Sequence, residues 1–147
     1  MKKTELEYYM KFVLKEAKKA LKEGEMPVAA SIVKDGEILS IARNKVEKTQ
    51  CATDHAEILA IKKASKKLNN FRLDGATMFV NVEPSAMCMG AIGLSRIDTI
   101  VFGCREKRFG ACKSLYDLSL FFPKKIRIIE GVLEDEARNL MQLAFKR

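Results

Sequence analysis

The 147-residue chain carries 27 lysines and arginines against 19 acids, a formal charge of +8. Its length fits one compact domain over residues 1–147, and no apolar run approaches the roughly twenty residues that span a bilayer, which excludes a helical membrane protein. The opening Met1-Lys2-Lys3-Thr4-Glu5 leads into a charged amphipathic pattern rather than a signal-peptide core, so the expected compartment is the cytoplasm.

In such a compartment Cys51, Cys88, Cys104 and Cys112 are expected as free thiols, not as a disulfide framework. The basic surplus has two readings. One is a polyanionic partner, whose phosphates release counterions on binding; the other is a solvated, lysine-rich surface. No linker, repeat or low-complexity tract interrupts the chain.

Taken in order, Leu6, Tyr9, Met10, Val13, Leu14, Ala17 and Leu21 recur at the spacing of one helix face over residues 5–23, and Gly24 is a natural C-cap. Residues 28–33 predict a buried strand. Lys34-Asp35-Gly36-Glu37 contains the Asp-Gly pair of tight hairpins, and residues 38–42 predict the antiparallel partner. Arg43-Asn44-Lys45 then reads as a polar loop in which Asn44 either satisfies turn geometry or reaches into a pocket.

A helix is expected from Thr53 or Asp54, with Ile58, Ile61, Ala64 and Leu68 as its apolar face. A strand follows at 77–82 and a helix from Ala86 or Met87 to near Ser95. Beyond it lie a strand at 99–103, a short helix at 114–121, a strand at 126–130 and a closing helix at 134–146. In that last helix Ala137, Leu140, Met141, Ala144 and Phe145 face inward. A hairpin followed by alternating helices and strands predicts an α/β fold, a three-layer α/β/α sandwich around a five-stranded mixed sheet.

Two stretches carry the chemistry. Thr53-Asp54-His55-Ala56-Glu57 holds the only histidine of the chain. One reading is a capping box between Asp54 and Glu57, which leaves His55 an ordinary first-turn residue. The other makes His55 a neutral imidazole ligand of a metal, with Glu57 beside the ion as a proton carrier that does not bind it. Downstream, Glu83-Pro84-Ser85-Ala86-Met87-Cys88 places Cys88 at a helix start, where a thiol is expected to ionise more readily and ligate metal.

The His-x-Glu element and a later Pro-x-x-x-Cys resemble the zinc deaminases of nucleobases, whose full pattern is His-x-Glu followed by Pro-Cys-x-x-Cys. Gly24-Glu25-Met26-Pro27-Val28, Asp35-Gly36-Glu37-Ile38, Arg43-Asn44-Lys45-Val46, Phe71-Arg72-Leu73, Met87-Cys88-Met89-Gly90-Ala91-Ile92 and Ile100-Val101-Phe102-Gly103 extend the likeness over most of the chain. The whole resembles the cytidine deaminase superfamily, and within it the bacterial tRNA adenosine deaminases that make inosine at the wobble position. The resemblance implies bound Zn2+, His55 and Cys88 as ligands, Glu57 as the proton shuttle, and Asn44 as a hydrogen-bond partner of the substrate. It also implies a homodimer that holds a tRNA anticodon loop.

Several positions depart from that pattern. Ser85 stands where the first cysteine of the motif belongs, a weak neutral ligand in place of a thiolate. That leaves open a metal-poor or empty site, or a rearranged one in which Cys51 supplies the sulfur. Cys51-Ala52-Thr53-Asp54 replaces the usual Asp-Pro-Thr-Ala. Glu106 stands for an aspartate in the loop expected to touch substrate, and Pro123-Lys124-Lys125 replaces an Asn-His. Lys107, Arg108 and the terminal Lys146-Arg147 are candidates for phosphate contacts. Two alternatives to tRNA deamination remain: a deaminase of a free base or nucleoside of guanine or cytosine type, and a non-catalytic RNA-binding member of the fold.

Overall fold

The apolar residues of the central strands alternate between two cores, and this fixes the layers. Met78 and Val80 face one side of the sheet while Phe79 and Val82 face the other; Ile100 and Phe102 are likewise opposed to Val101 and Cys104. Strands buried on both faces need helices on both faces. A computed structural model describes residues 1–146 and shows that arrangement.

Helix α1 (Lys3–Lys22) leads into strands β1 (Ala29–Lys34) and β2 (Glu37–Arg43), followed by a single helical turn, α2 (Val46–Thr49), and helix α3 (Ala56–Leu68). Strand β3 (Thr77–Val82), helix α4 (Ala86–Leu94), strand β4 (Thr99–Cys104), a 3-10 turn at Leu118–Phe121, strand β5 (Arg127–Ile129) and helix α5 (Glu134–Phe145) complete the chain. The sheet order is β2-β1-β3-β4-β5, with β1 antiparallel to both neighbours and β3, β4 and β5 mutually parallel. Helices α1 and α5 cover one face, and α3 and α4 cover the other.

The hairpin turn forms as the Asp-Gly pair predicts. Asp35 and Gly36 both take positive φ, 51° and 75°, the twist that joins antiparallel strands in two residues. Between α5 and the sheet the approach is close: a Cβ on Gly103 would stand 2.7 Å from both the Ala137 Cβ and the Asn81 carbonyl oxygen. Asn81 is buried and links β3 to the chain before β1, accepting from the Ala29 amide at 2.9 Å and donating to the Pro27 carbonyl at 2.8 Å.

Four expectations change. Helix α3 begins at Ala56 rather than Thr53 or Asp54, so His55 is its N-cap and the Asp54–Glu57 capping box does not form. Its buried face is Ala56, Glu57, Ala60 and Ala64, with Ile58 and Ile61 only half-buried, because small side chains let the helix lie close on β1 and β2. The helix expected at 114–121 is reduced to the 3-10 turn, capped by Asp117, whose carboxylate accepts from the Ser119 amide at 3.0 Å. Phe145, the last residue of α5, has 57% of its surface exposed rather than lying inside.

Candidate metal centre

The carboxyl ends of parallel strands, where helix N-termini converge, are where open α/β sheets build sites. Strand β3 runs through Glu83 and Pro84 into α4, whose N-cap is Ser85, and α3 starts beside it at His55. Both N-caps lack a side-chain cap bond, so the chain satisfies these helix starts in other ways. For α3 the Ala56 amide donates to Asn44 Oδ1 at 2.8 Å, while the Asn44 amide donates to the Val28 carbonyl at 3.0 Å. Asn44 therefore does both things the sequence leaves open: it closes the turn after β2 and it lines the cavity above the helix start.

That cavity has a volume of about 660 Å³, and His55, Glu57 and Ser85 line it together with Asn44, Val28 and Glu83. His55 Nδ1 lies 3.7 Å from Cys88 Sγ, and a Glu57 carboxylate oxygen completes a group whose atoms are all within 4.8 Å of one another. Cys88 is fully buried and Glu57 nearly so. Burial pushes the Glu57 carboxyl up, against smaller opposing effects of its own backbone amide, His55 and Cys88. The Cys88 thiol is also pushed up, by burial first and by the Glu57 charge second, so the expected lowering at a helix N-terminus is overridden.

A buried thiol and a buried carboxyl, both driven toward neutrality, are groups that a cation would ionise. Tetrahedral zinc with sulfur at about 2.3 Å and nitrogen at about 2.0 Å sets those two ligand atoms roughly 3.5 Å apart, close to the 3.7 Å between His55 and Cys88. Among the described residues only Ser31 Oγ, Glu57 Oε1, Ser85 Oγ and Asp98 Oδ1 are buried side-chain atoms without a hydrogen bond, and Asp98 is ion-paired with Lys124. Two of the remaining three line this cavity. The donor set fits a divalent ion, with a hydroxyl where a second thiolate would give a stronger hold.

Cys51 does not join the group. It is exposed, with its sulfur 3.3 Å from the Thr53 hydroxyl. Glu106 lines the cavity, but its carboxylate is engaged by Arg108, accepting from the backbone amide at 2.9 Å and from Nε at 3.1 Å. Burial alone would raise its pKa, and the hydrogen bonds and charge of Arg108 hold it below the usual range instead. Lys107 and Lys146 are exposed, and Arg147 lies outside the described residues.

With this geometry in view, the family model of the cytidine and deoxycytidylate deaminase zinc-binding region matches residues 3–104. The chain belongs to that deaminase family. A curated family relative from Bacillus subtilis (strain 168), a tRNA-specific adenosine deaminase, is 41% identical over 145 residues, 97% of this chain and 90% of the relative. One from Aquifex aeolicus (strain VF5), of the same description, is 46% identical over 112 residues, 76% of this chain and 74% of the relative. Among solved structures, one from a study of A-to-I editing by tRNA:A34 deaminases superposes with a TM-score of 0.86 at 30% identity, covering 90% of this chain and 98% of its own. A guanine deaminase from Bacillus subtilis matches with a TM-score of 0.65 at 31% identity, over 78% of this chain and 73% of its own.

Two carboxylates that the sequence does not mark by role shape the cavity. Glu25, buried where α1 has ended, accepts from the Glu47 and Lys48 amides at 3.0 and 2.9 Å and so seats α2 against the rim. Glu83, also buried, accepts from the amides of Glu106, Cys112, Lys113 and Ser114 at 2.7–3.1 Å and from the Ser114 hydroxyl. An acid between an apolar strand and a proline is the available sequence signal, but its partners lie more than twenty residues away.

Burial by itself would raise the Glu83 pKa, yet the Ser114 hydroxyl and the converging amides hold it below the usual carboxylate range. A lowered folded-state value means stability that is complete above the unfolded pKa and lost as pH falls through the folded one. Thermal unfolding followed against pH is expected to show wild type weakening below about pH 4. Glu83→Gln should be destabilised at pH 7 by about 3 kcal/mol, with a flatter acid limb, because its NH2 faces amides that need an acceptor. An unchanged acid limb would remove Glu83 as the anchor of this loop.

Proposed function

We propose that the protein is a zinc-dependent hydrolytic deaminase that converts adenosine to inosine at the wobble position of a tRNA. The observation that carries this reading is the meeting of His55, Glu57 and Cys88 within 4.8 Å of one another, with His55 and Glu57 lining one cavity, in a chain whose curated relatives are tRNA-specific adenosine deaminases. His55 through Nδ1 and Cys88 through Sγ would hold the metal, with the Ser85 hydroxyl as the weaker candidate for a third ligand. Bound zinc supplies a water acidic enough to attack an aromatic ring at neutral pH.

Glu57 is the proton carrier. Its Oε1 has no hydrogen-bond partner among the described residues, and burial raises its proton affinity. It takes the proton of the attacking water, delivers it to a ring nitrogen, and serves again as ammonia leaves. Asn44 Oδ1 is committed to the Ala56 amide, which leaves its NH2 as the donor offered to base or ribose. Glu106 acts through the loop it orders, fixing Arg108 at the cavity wall.

An adenosine must leave the stack to reach this site, at a cost of a few kcal/mol that phosphate contacts offset. The charge of +8 supports a polyanionic substrate, which a free base would not require. The fold shared with guanine deaminase makes the free-base reading the alternative, and salt separates the two: activity on tRNA falls steeply as salt rises, activity on a small base does not. This reading carries with it a cytoplasmic protein working as one domain; no helix among the described residues is long and apolar enough to cross a membrane.

The homodimer belongs to the same proposal. Helix α4 is apolar on every side, and its outward Met87 and Leu94 are exposed together with Leu120 and Phe121 on the 3-10 turn that packs against it. A second copy is the occupant this patch fits. Sedimentation equilibrium should give twice the 16.6 kDa chain mass. A monomer at micromolar concentration would overturn it.

The function is tested on an anticodon stem-loop carrying adenosine at the wobble position, with inosine read by mass spectrometry of the digested RNA. Zinc-loaded wild type is expected to form inosine. Glu57→Gln should lose at least about a hundredfold in turnover while retaining its zinc. Turnover unaffected by Glu57→Gln would remove that residue from proton transfer, and conversion of free guanine but not RNA would replace the substrate.

A further inference from the structure

The outer side of α1 carries a basic stripe that the deamination chemistry does not use. Lys11, Lys15, Lys18 and Lys22 follow one another at helical spacing, and at about 100° per residue they fall within roughly 60° of the helix circumference. All four are exposed. At about 1.5 Å per residue the stripe is about 16 Å long. Lys11, Lys15 and Lys18 also line a groove of about 270 Å³ between α1 and α5, together with Leu14, Leu133 and Glu136.

The stripe is cationic because the acids in the same half of the helix are engaged elsewhere. Arg43 on β2 holds Glu16 at 2.6 Å and Glu23 at 2.8 Å, on the flank of α1 that faces the hairpin. Lys19, beside the stripe, pairs with Glu16 at 3.3 Å. Among the described residues the four stripe lysines make no ion pair, and Glu136 is the one acid in the groove beside them. Lys11 with Lys15, and Lys18 with Lys22, are like charges one turn apart, which oppose helix formation. Helix stability therefore gives no reason for this arrangement, and a polyanion laid along it does.

Position ties the stripe to the site. Near the start of α1 the Tyr9 hydroxyl donates to the Gly36 carbonyl in the hairpin turn at 3.2 Å, and Gly24, Glu25 and Met26, which follow the helix, line the cavity at the other end of the sheet. The stripe thus runs along the protein toward the cavity. The lysines of α3 are placed the other way. That helix starts at the cavity with His55, and Lys62, Lys63, Lys66 and Lys67 lie in its later turns, where Lys63 donates to the Ile41 carbonyl at 3.1 Å and Lys67 pairs with Glu37 at 3.1 Å.

We propose that the lysine stripe of α1 is a second RNA-binding surface, outside the cavity, that contacts phosphates of the stem whose loop enters the cavity. The proposal rests on the reading of the protein as an RNA deaminase. One strand of a duplex carries a phosphate about every 3.4 Å of axis, so a stripe of about 16 Å faces several of them. Ammonium groups on flexible stems act there as point charges that release counterions and read no base edge. The stripe adds affinity and orientation to the RNA without choosing its sequence.

The experiment uses the full-length protein and two RNA hairpins with the same loop, one with a stem longer than the stripe and one with a stem shorter than it. Binding is followed by fluorescence anisotropy over a salt series. Wild type should bind the long hairpin more tightly and with the steeper salt dependence. Lys11→Gln/Lys15→Gln/Lys18→Gln/Lys22→Gln should flatten the slope of log Kd against log salt on the long hairpin by about 3, weaken its Kd at least about tenfold, and remove its advantage over the short one. The pair Lys11→Gln/Lys18→Gln should produce about half the change in slope, which keeps the test available if the fourfold variant does not fold. Lys62→Gln/Lys63→Gln/Lys66→Gln/Lys67→Gln on α3 lowers the net charge equally and should leave the slope within about 1 of wild type.

Three results would overturn the second surface while leaving the deaminase intact: equal binding of the two hairpins by wild type, an unchanged slope in the α1 variants, or an equal loss in the α1 and α3 variants. The last would assign the effect to net charge alone. Failure of wild type to bind either hairpin would overturn the RNA reading itself, and the stripe with it.

Discussion

The structure depends on one constraint: two helices must start at the same place on the sheet. His55 and Cys88 are 33 positions apart and belong to different helices, yet their side chains approach to 3.7 Å. The approach exists because β3 delivers α4 at its carboxyl end while the hairpin β1–β2 delivers α3 beside it. Neither helix caps itself. Asn44 supplies the acceptor that α3 lacks, and Pro84 and Ser85 run directly from β3 into α4, with Ser85 also bridged to Gly110 in the loop after β4. If either helix started one residue earlier or later, the side chains would rotate by about 100° and the pair would separate.

Buried polar groups divide into two sets around that constraint. Glu25, Asn44, Asn81 and Glu83 each accept backbone amides and hold a loop or helix start. Glu25, Asn44 and Glu83 line the cavity, and removing Glu25 or Glu83 strands several donors at once. Gly110 shows how tightly the wall is built, because a Cβ there would stand 2.3 Å from the Glu83 carboxylate. Glu57 Oε1 and Ser85 Oγ form the other set, buried and without hydrogen bonds among the described residues. Polar groups left unmatched inside a protein are costly for stability, and their usual reason is chemistry. The contrast between the satisfied groups and these unsatisfied ones marks the site independently of any sequence motif.

Much of this is legible in the sequence, for identifiable reasons. The hairpin follows from Asp35-Gly36, whose positive φ values only such a pair takes readily, and the layer order follows from continuous apolar strands separated by helical spacing. His55, Glu57 and Cys88 stand out because ligand chemistry demands specific residue types at specific offsets. The start of α3 is not legible, because its cap comes from Asn44 in another turn and Asp54 offers a false local one. Glu25 and Glu83 are silent for the same reason: their partners are distant backbone amides, which carry no side-chain signature. The 114–121 segment misleads because its apolar residues have helical spacing, while Asp117 and the contacts around Glu83 hold it in tighter turns.

Ser85 is where sequence and structure press hardest on each other. The fold brings His55 and Cys88 within 3.7 Å and offers a hydroxyl where the motif has a thiol, so under the proposed reading the centre would carry a single sulfur. Zinc K-edge X-ray absorption on the zinc-loaded protein measures this directly. The account predicts one sulfur at about 2.3 Å with nitrogen and oxygen ligands at about 2.0–2.1 Å completing the coordination. Two sulfurs would mean that Cys51 or another thiol is recruited by rearrangement, and a shell of oxygen and nitrogen alone would mean that Cys88 is not a ligand; either result would contradict the site described.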